Sequence, residues 1–290
     1  MAIAVNIADV RAIVRKYFQE RELDSWHRLK GGVSADVFKL EFKGGKSAVL
    51  RIHGDRHSGH DVQLEFDLLQ ALFSKGVLSP RPIAVDSEQK VIPYPYLLME
   101  FVEGSTAVSE AFSDEAIGLM AKGLVEVHNK ELLGLPTLPG RIEPFPLAFE
   151  FLPEEMTSLK ALIEGTPSTF CGDQKLLHGD YWPENVMWKD EEIVAIIDWE
   201  DAAIGDPLSD VACCYLELRY IYGTDGADKF VNAYAEFAPI DPIRFQLWKI
   251  HVSAAAQKFM GLWGLPAEKE AHKRQTALLV IHETHAALQK

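Results

Sequence analysis

The chain has 290 residues, 48% apolar and 25% charged, a make-up that fits a soluble globular protein and excludes a disordered or fibrous one. Its 29 Lys and Arg against 43 Asp and Glu leave a formal charge of −14, the wrong sign for nucleic acid or anionic lipid as main partner. Cys171, Cys213 and Cys214, two of them adjacent, make no disulfide framework; with no leader-like start and no apolar run of roughly 18 residues, a cytoplasmic, non-membrane protein is expected. Residues 7–23 place Ile7, Val10, Ile13, Val14, Tyr17 and Phe18 at helical spacing. Short apolar runs at 26–30, 37–42 and 48–52, parted by Gly31-Gly32 and Gly44-Gly45, predict an antiparallel meander. A second helix runs from Asp61 to the Lys75-Gly76 stop, followed by strands at 83–85 and 96–102.

Past Glu103-Gly104 the pattern turns helical, beginning with Ile117, Met120, Leu124 and Val127 on one face. Pro153, Pro207, Pro242 and Pro266 are placed to start further helices. The expected organisation is a sheet-and-helix lobe at 1–100, a hinge at 101–104 and a larger, mostly helical lobe at 105–290. Charge follows this division: the first 100 residues carry 14 basic and 13 acidic groups, the remainder 15 and 30.

Chemistry concentrates in residues 176–210, LLHGDYWPENVMWKDEEIVAIIDWEDAAIGDPLSD. Asp180 follows a short strand, Asn185 comes five residues later, and Asp198 ends the apolar run 193–197. The apolar runs 186–188 and 193–197 flank Lys189-Asp190-Glu191-Glu192 as a hairpin. A turn centred between 191 and 192 sets Asn185 opposite Asp198, with Cα atoms about 5 Å apart. Two carboxylates and an amide oxygen suit Mg²⁺ when a nucleotide supplies the other oxygens. Each piece alone is an ordinary turn or strand end; the three together, around one hairpin, are hard to explain by packing.

HGDYWPEN at 178–185 and IIDWE at 196–200 resemble the catalytic loop and the metal-binding Asp motif of the protein-kinase-like superfamily, in its aminoglycoside phosphotransferase and choline kinase branch. That resemblance implies an α+β, bilobal protein-kinase-like fold and a kinase acting on the hydroxyl of a small molecule, with ATP (GTP as an alternative) and Mg²⁺ as cofactors. It implies that Asp180 takes the acceptor proton and that Asn185 and Asp198 hold Mg²⁺. His178 is expected to brace the loop rather than act as a base, and Asp210 to brace it from the next helix. Glu200, two residues past Asp198, fits equally a group facing the metal or acceptor and a surface acid.

Resemblance also places the nucleotide contacts. Ser34, in Gly31-Gly32-Val33-Ser34, would lie over the phosphates; Arg51 stands where kinases carry Lys, with Glu65 as its ion-pair partner; backbone groups of Glu100 and Val102 would meet adenine. Arg keeps the charge of Lys but grips phosphate with a different geometry. His53, His57 and His60 form no closed ligand set and read as a loop. The acid excess after residue 100 favours a cationic acceptor such as an aminoglycoside or amino alcohol. A neutral or zwitterionic one (homoserine, a sugar, a macrolide) is the alternative. A silent nucleotide-binding scaffold is the rival from another class, and the presence of Asp180, Asn185 and Asp198 together weighs against it.

Overall fold

The computed structural model describes residues 5–29, 35–54, 60–106, 113–144, 152, 156–165 and 172–290. The chain divides into two compact units, one of Met1–Glu103 with Gly134–Pro136, the other of Gly104–Leu133 with Thr137–Lys290. Among the described residues no helix is long and apolar enough to cross a membrane.

The first unit opens with α1 (Ile7–Tyr17), whose N-terminus is closed by a capping box between Asn6 and Asp9. It stops six residues short of the expected end: Phe18 leaves helical geometry at φ −130° and packs its ring 4.7 Å from that of Phe42. Strands β1 (Leu23–Arg28), β2 (Ala35–Phe42), β3 (Ser47–His53), β4 (Pro82–Asp86) and β5 (Tyr96–Glu100) form one antiparallel sheet in the order β1-β2-β3-β5-β4. Leu40, Leu50, Ile52, Tyr96 and Leu98 bury one face with Val10 and Ile13 of α1. Side chains alternate along a strand, so Arg51 and His53 project from the other face, to which α2 (Val62–Ser74) brings Glu65. Asp61 caps α2 by accepting from the Gln63 and Leu64 amides.

In the second unit α3 (Asp114–His128), α5 (Leu208–Ala235), α6 (Pro242–Phe259) and α7 (Ala267–Leu288) pack in sequence, with α4 (Thr157–Gly165) beside α6 and α7. Three short strands, β6 (Gly140–Arg141), β10 (Ala203–Gly205) and β7 (Lys175–Leu177), form a second sheet in that order. A hairpin of β8 (Val186–Lys189) and β9 (Glu192–Ile196) follows a single 3₁₀ turn at Pro183–Asn185. This antiparallel sheet with helices and the mostly helical second unit give the α+β, protein-kinase-like architecture expected.

The hairpin departs from expectation in register. Asp190 and Glu191 both adopt positive φ (51° and 66°), a two-residue turn, and a bulge lies between Met187 and Trp188. Val186 therefore opposes Ile196, and the Asn185 carbonyl accepts from the Ile197 amide at 2.9 Å. Asn185 faces Ile197, with Asp198 one residue beyond the rung.

Candidate active site

The loop that carries Asp180 begins where β7 ends and is held by an acid behind it. Asp210, fully buried near the start of α5, accepts from the backbone amides of His178 (2.7 Å) and Gly179 (2.9 Å). His128 of α3 adds a bond at 3.2 Å from Nε2, and its Nδ1 lies 2.8 Å from the Tyr234 hydroxyl. Burial alone would raise the Asp210 carboxyl, but His128, His178 and Arg141 overrule it and hold it below its ordinary value. Arg141 clamps the other side, donating to the Gly179 carbonyl at 3.0 Å and to that of Asp201 at 3.4 Å.

Gly179 is required at this crossing. Its φ is +90°, and a Cβ there would lie 2.0 Å from the Asp201 carbonyl oxygen. Gly179→Ala is expected to destabilise the fold by more than about 2 kcal/mol, combining a left-handed alanine with a backbone clash, and to displace the loop. Urea unfolding midpoints of the two proteins check this.

His178 is wholly buried between the rings of Tyr181 and Trp199, with the Trp199 centroid 4.6 Å away. Its Nε2–H donates to the Ile197 carbonyl (2.9 Å) and its Nδ1 accepts from the Asp180 amide (3.3 Å). Both ring nitrogens are thus engaged in one tautomer, and burial lowers the ring's pKa, keeping it neutral. The imidazole links the Asp180 loop to the strand leading to Asp198. Tyr181 anchors the same loop to α3, donating to the Met120 carbonyl at 2.9 Å.

Asn185 turns back on Asp180, its Nδ2 donating to the Asp180 carbonyl (2.8 Å) and to Oδ2 of its carboxylate (3.1 Å). The amide oxygen of Asn185 is then the atom available to a cation. Asp198 sits at φ +67°, an uncommon conformation for a residue with a Cβ, one step beyond the rung that pairs Asn185 with Ile197. Burial, followed by the charges of Glu217, Asp198 and Asp201, pushes the Asp180 carboxyl up to about 7. A group of oxygen donors this short of positive charge fits Mg²⁺: a cation would relieve the repulsion that raises Asp180. Glu200 is half-buried in the turn after the buried Trp199.

In the first unit, Arg51 and Glu65 meet as expected: Nη1 donates to Oε1 at 2.8 Å, and both side chains are buried. Burial would raise the Glu65 carboxyl, but Arg51 and the nearby histidines hold it down to about 2. His53 ends β3 rather than lying in a loop, and His60 Nε2 lies 2.8 Å from the second Glu65 oxygen. The two imidazoles stack 4.6 Å apart at 22°, and one donor atom each of His53, His60 and Glu65 lies within 4.8 Å of the others, so among the described residues these three form a group able to hold a metal ion, where the sequence suggested only a loop. Ser34 and His57 lie outside the described residues. The backbone amide of Glu100 donates to the Arg81 carbonyl at 2.8 Å. Backbone groups of Val102 bond to no other backbone group among the described residues.

Glu217, Cys213, Arg141 and His128 are neighbours of the site that the motif did not announce. Cys213 and Glu217 stand one turn apart on α5, and the Cys213 thiol lies 3.9 Å from Asp180 Oδ1. That i, i+4 spacing downstream of Asp210 was the sequence signal for both.

Acyl-CoA dehydrogenase family member 11 of Pongo abelii is 26% identical over 224 residues, 67% of this chain but only 28% of that longer protein. A homoserine kinase of Methylocella silvestris is 22% identical over 284 residues, covering 89% of this chain and 86% of its own length. Among solved structures, a thermostable mutant of the aminoglycoside phosphotransferase APH(4)-Ia, in ternary complex with AMP-PNP and hygromycin B, superposes with a TM-score of 0.66 at 15% identity. It covers 95% of this chain and 98% of that one, a likeness of fold. Residues 25–245, which span the sheet, Arg51, Glu65 and the whole Asp180–Asp210 segment, match the phosphotransferase enzyme family, and the chain belongs to that family.

Proposed function

We propose that this protein is an ATP- and Mg²⁺-dependent phosphotransferase that moves the γ-phosphate to the hydroxyl of a small molecule. The observation that carries the reading is the Asp180–Asn185 contact, with Asp198 one residue past the Asn185–Ile197 rung and Asp210 holding the loop from behind. Phosphoryl transfer asks a protein chiefly for positioning and for neutralisation of charge. Asn185 donates to Oδ2 of Asp180, and Oδ1, approached by the Cys213 thiol only to 3.9 Å, is the oxygen that would take the acceptor's proton. The raised basicity of the carboxylate suits it to that task near neutral pH. His178, neutral and committed at both nitrogens, keeps the loop in place and moves no proton. Arg51, held by Glu65, would bring its guanidinium charge to a nucleotide phosphate. Asn185 and Asp198 would hold Mg²⁺, which when bound supplies positive charge to the phosphate oxygens.

An AMP-PNP complex of a protein with this fold, and a homoserine kinase that aligns along most of the chain, support the nucleotide and the small-molecule acceptor. A cytoplasmic location accompanies a protein supplied with ATP and Mg²⁺. The acid excess of the second unit is the argument for a cationic acceptor, and Glu217, Asp198 and Asp201 bring that charge to Asp180 itself.

The metal assignment is checked by thermal unfolding. Wild type is expected to rise in Tm with Mg·ATP and to rise less with ATP in EDTA. Asp198→Ala should lose the Mg²⁺-dependent part, and an unchanged shift in that variant overturns the assignment.

A further inference from the structure

One carboxylate of the first unit faces two ways. Glu65 accepts from Arg51 Nη1 on Oε1 at 2.8 Å, and its Oε2 meets His60 Nε2 at 2.8 Å and His53 Nε2 at 4.0 Å. All three side chains are nine-tenths buried or more: His53 is 4% exposed, His60 9% and Glu65 2%. The fold delivers them to one point. His53 is the last residue of β3, on the face that carries Arg51. His60 immediately precedes Asp61, the cap of α2, and Glu65 lies in the first turn of that helix.

One donor atom from each residue lies within 4.8 Å of the other two. Ligands of a tetrahedral Zn²⁺, at bond lengths of about 2.0–2.2 Å, stand roughly 3.4 Å apart. The separations of 2.8 Å and 4.0 Å fall on either side of that value. The rings now stack, with 4.6 Å between centroids and 22° between planes, so ligation turns one of them out of the stack and moves its nitrogen by on the order of 1 Å. His60, the most exposed of the three, is the ring placed to turn. The Glu65 carboxyl is held down to about 2 and is ionised, so His60 Nε2–H donates to it. An ion would take the place of that proton, the imidazole keeping its one proton on Nδ1. Donor type selects the ion: two imidazoles and a carboxylate suit Zn²⁺ or Co²⁺, whereas Mg²⁺ prefers oxygens alone. Arg51 on the neighbouring oxygen adds positive charge, which favours hydroxide over a neutral group as fourth ligand.

We propose that His53, His60 and Glu65 form a transition-metal site of the Zn²⁺ class, bound through His53 Nε2, His60 Nε2 and Glu65 Oε2, with a solvent-derived fourth ligand. Arg51 keeps Oε1 of the same carboxylate. This site differs in donor chemistry from the Mg²⁺ donors Asn185 and Asp198. It needs neither ATP nor an acceptor, and it is independent of the phosphotransferase reading.

Co²⁺ is the probe, because its d–d bands in the visible report ligation directly, whereas Zn²⁺ and Mg²⁺ are colourless. The 290-residue chain, freed of metal with a chelator and titrated with CoCl₂, should develop bands that saturate at one ion per chain. Zn²⁺ should abolish them at about one equivalent, and a large excess of Mg²⁺ should leave them in place. His53→Gln and His60→Gln should each weaken Co²⁺ binding by more than about 100-fold, beyond the 10–100-fold scale of outer-shell partners. Asp198→Ala should bind Co²⁺ as wild type does, which separates this site from the donors around Asp180. His285→Gln, on the last helix, is the control for a histidine outside the group and should also match wild type. No visible bands with excess Co²⁺, bands displaced by Mg²⁺, undiminished binding in either ligand variant, or loss of binding in Asp198→Ala or His285→Gln overturns the proposal. Should His53→Gln, the more deeply buried of the two, not fold, His60→Gln decides.

Discussion

Asp180→Asn is expected to cost about 10²–10⁴ in turnover, the range for losing a general base, while the fold stays at least as stable as wild type in EDTA. The two expectations have one cause. Asp180 is surrounded by Glu217, Asp198 and Asp201 in a site that burial has taken largely out of water, and these push its carboxyl up to about 7. That arrangement makes the carboxylate basic enough to accept a hydroxyl proton, and it makes the ionised form a burden on the native state. A neutral amide of the same size removes the repulsion and keeps an oxygen for the Asn185 amide, which donates to Oδ2 at 3.1 Å. Loss of activity combined with an equal or higher Tm is the signature of a residue retained for chemistry at the expense of stability. Steady-state ADP release and thermal melts on the same preparations check both halves. A variant that keeps turnover within a few-fold of wild type removes Asp180 from the reaction.

The largest structural effect is expected two elements away. Asp210→Ala deprives the backbone amides of His178 and Gly179 of their acceptor and strips His128 of its charged partner, all in a fully buried place. Unsatisfied buried amides cost about 1–3 kcal/mol each, so the total should reach about 3–5 kcal/mol. At roughly 2–4 °C per kcal/mol that is a fall in Tm of about 6–20 °C. Asp210→Asn should fall between, because its NH₂ cannot accept the bond that one carboxylate oxygen now takes. Activity should drop in both variants, but only as the loop loosens, so kcat losses should track the Tm losses. In Asp180→Asn they should be uncoupled. Equal stability of Asp210→Ala and wild type by urea unfolding contradicts the bracing role.

What could be read in the chain was what is local. Asp180, Asn185 and Asp198 stand in one short segment, and their residue types and spacing announce the loop and hairpin before any fold is known. The ion pair of Arg51 with Glu65 was legible through the resemblance, which sets AVLR at 48–51 in the place of the kinase Lys strand and Glu65 on the helix that follows. The hairpin register was not, because Asp190 and Glu191 both take positive φ without glycine and a bulge adds a residue to one strand. Nothing in LysAspGluGlu at 189–192 signals either feature. Helix α1 ended early because Phe18 gains more from packing on Phe42 than from a further helical turn, a long-range contact that periodicity does not see. Arg141 and His128 reach the loop from other elements altogether. The charge count shows the same limit: it is a total over the second part of the chain and does not single out Glu217, Asp198 and Asp201 as the acids that raise Asp180.

The central claim is that the chain transfers phosphate, and ³¹P NMR of a single reaction mixture tests it most directly. The 290-residue chain, Mg·ATP and a panel of hydroxy amino acids, amino alcohols, amino sugars, sugars and macrolides should give ADP and one new phosphomonoester resonance in equal amounts. Both should be absent with EDTA and reduced by about 10²–10⁴ in rate with Asp180→Asn. Binding of Mg·ATP with no phosphomonoester formed from any acceptor, or a product that appears as fast with Asp180→Asn, would contradict it.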